Sequence, residues 1–107
     1  YVNGELFITL QTSEWENRTS LFSTKEEVIG KWIDFSFDLK FTRAEFGFVK
    51  VKMNKKTIVD YKGVTAYSEE QGYPKKSNFY FKMGLYRDSM DESMTAYFDE
   101  FRKEELR

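Results

Sequence analysis

The 107-residue sequence has no cysteine, no histidine and a single proline. The lack of cysteine excludes disulfides and thiolate metal sites, and leaves the redox compartment unmarked. The lack of histidine removes the commonest general base near neutral pH and the commonest metal ligand. Proton transfer within this chain therefore falls to Tyr, Lys, Arg, Asp or Glu. No apolar run approaches the ~20 residues that span a bilayer, and no signal-peptide pattern is visible. Charge of one sign is not in excess: 17 basic and 18 acidic residues give a formal net charge of -1, so no global field draws in nucleic acid. There is no internal repeat, no low-complexity segment and no convincing helical period; the stretch from Lys25 to Trp32 is short and is interrupted by Gly30.

What the chain does have is aromatic residues, 19% of the total, mostly Phe and Tyr, within a hydrophobic share of 40%. Such a chain can build the core of one small domain, and aromatics beyond core needs often line binding faces. Asn3-Gly4 reads as a turn and residues 5–12 as a strand. Residues 13–20 read as a polar loop, and Leu21 to Thr24 as a short strand. From Trp32 to Thr42, apolar Ile33, Phe35, Phe37, Leu39 and Phe41 alternate with Trp32, Asp34, Ser36, Asp38 and Lys40, the pattern of a half-buried antiparallel strand. Residues 46–53 alternate again, with Val49, Val51 and Met53 against Phe48, Lys50 and Lys52. Asn54 to Lys56 is a tight-turn candidate, and residues 57–62 return to complete a hairpin. A long polar loop over 63–77, a strand over 78–88 and a final strand from Thr95 that runs into a charged tail complete the reading. Many strands separated by turns predict an all-β sandwich or barrel.

The strand "NFYFKMGLYRD" carries the sharpest functional signal. Phe79, Phe81, Met83 and Leu85 form one apolar face; Tyr80, Lys82, Gly84 and Tyr86 form the other. Phenols and an ammonium beside a side-chain-free notch suit a polymer that stacks sugar rings and carries anionic groups. A solvated face with tyrosines paired across strands explains the same pattern.

The stretch Tyr80 to Asp88 resembles the "YFKxGxYxx" motif of the jelly-roll polysaccharide lyases, which include alginate lyases, glucuronan lyases and the heparin lyase I group. Gly30 to Thr42, Gly47 to Gly63 and Ala96 to Arg102 resemble further strands of the same family, in the same order. The resemblance implies a concanavalin-like jelly-roll β-sandwich of antiparallel strands, with an anionic polysaccharide in the groove of its concave sheet. It implies β-elimination at a uronic acid, with Tyr86 as acid/base and Lys82 beside it. Tyr80, Trp32, Lys50, Lys52 and Arg87, read from their strand faces and charge, are the candidate substrate-binding residues. No cofactor is expected; Asp91 to Glu100 is acidic enough to raise structural Ca²⁺, but lacks a recognised loop spacing.

The chemistry explains why such residues are needed. The C5 proton of a uronate is weakly acidic, and its removal adds charge to a group that is already an anion. Donors and cations must offset that charge, and a base and an acid must serve C5 and the leaving O4. A phenol of pKa about 10 acts as a base only beside cations. The family also uses a Gln-x-His or Gln-Trp-His element, and this chain has no His. The expectation is therefore either the C-terminal part of a longer lyase domain, completed by the rest of its own domain or by a partner chain, or a sandwich that keeps carbohydrate binding or a structural role without catalysis. An extracellular or periplasmic location, or a place on a virus particle, goes with either. Asp34 and Asp38 share a strand face but stand ~13 Å apart by rise, which is too far for a glycosidase pair. Asn17 to Thr19 fits a glycosylation triplet, and Trp15, Tyr67 and Tyr73 are further candidate sugar contacts.

Overall fold

The computed structural model describes residues 1, 3–12, 18–67 and 95–104. Within them the protein is all-β: β1 (Leu6–Gln11), β2 (Arg18–Thr24), β3 (Phe35–Lys40), β4 (Gly47–Met53) and β5 (Lys56–Gly63). Two antiparallel sheets result, one of β1 and β2, the other in the order β3-β4-β5. They pack face to face, as in a β-sandwich.

The core lies between the β1–β2 hairpin and the β4–β5 hairpin. Val49, Val51 and Val59 are buried, Val51 completely, and Ile8, Leu10, Leu21, Phe22, Ile58 and Tyr61 pack against them. Two β-bulges make this possible. In β2 the register jumps so that Ile8 opposes Phe22 and Thr9 opposes Ser20, leaving Leu21 as the extra residue. In β5, Val51 opposes Val59 while Lys52 opposes Thr57, leaving Ile58 unpaired. A strict period of two would send one of each adjacent apolar pair to the opposite face. The bulge lets both Leu21 and Phe22, and both Ile58 and Val59, reach the core.

The far end of the sheet is locked by Thr65, a buried polar residue. Its hydroxyl donates to the Lys40 carbonyl at 2.6 Å and accepts from the Thr42 amide at 2.9 Å, while its own amide donates to the Thr42 carbonyl at 3.0 Å. Gly47 lies beneath this clamp: a Cβ there would fall 2.5 Å from the Gly63 carbonyl oxygen and 2.6 Å from the Thr65 hydroxyl.

Several expectations change. Residues 18–20 belong to β2, not to a loop. β3 covers Phe35–Lys40, shorter than the alternation from Trp32 to Thr42. All six of its residues are exposed, so it is not half-buried among the described residues: the β1–β2 layer reaches β5 but stops short of β3. Residues 95–104 form no strand. The predicted strand over 78–88 lies outside the described residues.

Candidate functional site

The polar face of the three-stranded sheet is fixed by register. Because directly opposed residues in antiparallel strands share a face, the face is built in rows. The first row is Ser36, Lys52 and Thr57; the second Asp38, Lys50 and Asp60; the third Lys40, Phe48 and Lys62. The β5 bulge is again decisive, since it brings Thr57 rather than Ile58 beside Lys52. The first and third rows are about 14 Å apart, four residues of strand rise.

Four ammonium groups and two carboxylates share the face, and their distribution is uneven. Lys50 stands between Asp38 and Asp60, so its positive potential is offset from both sides. Lys52 stands between two hydroxyl-bearing residues and faces no opposing carboxylate in its row. The sequence marks Lys50 and Lys52 as equivalent candidates; the register gives them different neighbours, two carboxylates for Lys50 and two hydroxyl-bearing residues for Lys52. The third row holds two lysines around Phe48, and the Lys40 ammonium lies 4.8 Å from the centre of the Phe46 ring. Lys40, Lys62 and Phe48 were not singled out from the sequence. Their signal is the pairing of three strands, which no single strand carries.

A hollow of about 220 Å³ opens at the first-row end, lined by Asp34, Phe35, Ser36, Lys52 and Lys55. Its rim is held by Asn54, whose side-chain oxygen accepts from the Asp34 amide at 3.0 Å and whose amide donates to the Asp34 carbonyl at 2.8 Å. Asn54 and Lys55 form the two-residue β4–β5 turn, both with positive φ, 49° and 71°, as a type I′ turn requires. A larger cleft of about 480 Å³ lies between the layers, walled by Phe22, Met53 and Ile58 with Glu26 and Lys56 at its edge. It is the open end of the core and carries mixed charge.

Trp32 precedes β3 and is 70% exposed, so it does not lie on the strand's polar face as the alternation implied. It projects from the segment that follows the Gly30 turn. Tyr67 is half-buried, and its carbonyl accepts from the Arg43 guanidinium at 2.6 Å. Tyr80, Lys82, Tyr86 and Arg87, with Trp15 and Tyr73, lie outside the described residues. Among the described residues no cluster of acidic side chains has metal-binding geometry, and no helix is long and apolar enough to cross a membrane.

The family model described as polysaccharide lyase matches residues 1–102. No curated protein and no solved structure matches the chain.

Proposed function

The chain belongs to the polysaccharide lyase family, and from that premise we propose that it acts on an anionic, uronic-acid-containing polysaccharide of the heparin, glucuronan or alginate type. The observation that carries the reading is the polar face of β3–β5, where Lys52, Lys40 and Lys62 project from a sheet that also presents Phe48. A polyanion laid across this face meets ammonium groups at both ends and a ring at one. The apolar side of β3, uncovered among the described residues, supports a further layer, supplied by the rest of the same domain or by a partner chain.

In the proposed reaction the C5–H bond breaks and its electron pair forms the C4=C5 double bond. The C4–O4 bond breaks, and O4 leaves with a proton. Tyr86 serves as acid/base, with Lys82 beside it and Tyr80 as a wall; Lys52 and Lys50, with Arg87 and Trp32, hold the chain. Charge that builds on the uronate carboxylate during C5 deprotonation is offset by ammonium groups. A second reading, carbohydrate binding without turnover, is favoured by the absence of His from the sequence.

The test follows ultraviolet absorbance of the unsaturated uronate on alginate, glucuronan, heparin, heparan sulfate and chondroitin. Under the lyase reading one polymer gives a rise, and Tyr86→Phe lowers turnover by about a hundredfold or more while binding is kept. Polymer binding without any rise selects the second reading; an unchanged rate in Tyr86→Phe removes Tyr86 from the mechanism.

A further inference from the structure

The β4–β5 turn holds a lysine where backbone geometry favours glycine. Lys55 sits at φ 71°, in the left-handed region that L side chains with a Cβ rarely occupy. The preferred sequence for a two-residue turn of this kind is Asn-Gly. Asn54 satisfies the first position and also ties the turn to Asp34 through its side chain. Lys55 satisfies nothing by its conformation, and a strained residue at a cavity rim is a pointer to function. The same residue lines the 220 Å³ hollow with Lys52 and Ser36. Lys52 has no carboxylate in its row, in contrast to Lys50 of the same strand.

We propose that Lys55 and Lys52 form a two-ammonium subsite for an acidic group of the polysaccharide, a uronate carboxylate or a sugar sulfate, with the Ser36 hydroxyl as a further donor. The turn geometry is retained because it delivers the Lys55 side chain to the hollow. Asp34, on the same rim, limits the net charge and favours a ligand that also brings a hydroxyl for a carboxylate to accept from. This subsite rests on the polyanion reading above, and adds to it a residue that neither alternation nor motif marks.

The experiment separates charge from strain. Binding of glucuronan, alginate and heparin by the 107-residue chain is measured by calorimetry at low and physiological salt, with dextran as the neutral control, alongside thermal melts. Lys55→Gln keeps the strain and removes the charge: it should weaken polyanion binding roughly threefold to fivefold at low salt, less at higher salt, without moving the melting temperature. Lys55→Arg should retain binding. Lys55→Gly should weaken binding equally and raise the melting temperature by a few degrees, ~4 °C, as the strain is released. Unchanged binding in both Lys55→Gln and Lys55→Gly, with Lys52→Gln still weakened, overturns the subsite and leaves the polyanion reading standing. Folded wild-type protein that binds none of the three polymers overturns the polyanion reading, and the subsite with it.

Discussion

β3 and β4 lie side by side in one sheet and carry the same alternation, yet they end in opposite environments. Val49 and Val51 of β4 are 6% and 0% exposed, whereas Phe37 and Leu39, their neighbours on the same face, are 49% and 42% exposed. The larger side chains are the uncovered ones. Phe35 and Phe37 stack on each other, ring centres 5.9 Å apart, but among the described residues no second layer covers them. The difference teaches that alternation selects a face, while burial requires a facing layer, and the β1–β2 hairpin covers only the β4–β5 side. Among the described residues β3 also ends the sheet, so within them it presents a backbone edge beside an apolar face, a combination that attracts further strands.

The harshest way to break the covered side is Gly47→Ala. The new Cβ would meet two backbone oxygens and the Thr65 hydroxyl at 2.5 to 3.0 Å, and backbone cannot step aside as a flexible side chain does. A loss of about 3 kcal/mol or more is expected in denaturant unfolding; a loss below ~1 kcal/mol would mean that the Thr65 clamp opens freely.

A paired substitution sharpens the contrast. Val51→Ala removes methyl groups from a fully enclosed site and should cost about 2 kcal/mol. Phe37→Ala removes a larger side chain that is half solvated, and should cost under about 1 kcal/mol. Equal costs, with a melting temperature that rises with protein concentration, would instead show that β3 is covered in solution by another chain.

The smallest expected effect separates two lysines of β4. Lys52→Gln should weaken polyanion binding about threefold at low salt, and Lys50→Gln less, because Asp38 and Asp60 already offset Lys50. Calorimetry with glucuronan reads the difference; the reverse order would mean that charge balance within the rows does not govern binding.

Much of this was legible in the chain. Residues 46–53, the Asn54 turn and the returning strand were readable because apolar and polar residues alternate on both sides of a turn residue. The site was only partly legible. Lys50 and Lys52 stood out on one strand, but Lys40, Lys62 and Phe48 form a row only across three strands, and Lys55 becomes informative only through its φ angle. The adjacent pairs Leu21-Phe22 and Ile58-Val59 are the sequence trace of the two bulges, visible as breaks in alternation.

By itself, then, the sequence determined the all-β class, the apolar faces of β3 and β4, the absence of thiol and imidazole chemistry, and the lyase family. These follow from local rules: side chains alternate along an extended chain, turns need residues that tolerate positive φ, and a missing residue type cannot act. Tertiary structure alone decided that β3 is uncovered among the described residues, that Trp32 leaves the strand, that Lys50 has two carboxylates in its row while Lys52 has none, and that Lys55 reaches the same hollow as Lys52. The physical reason is that register, bulges and the placing of one sheet over another set distances between residues far apart in the chain, and both charge balance and burial depend on those distances.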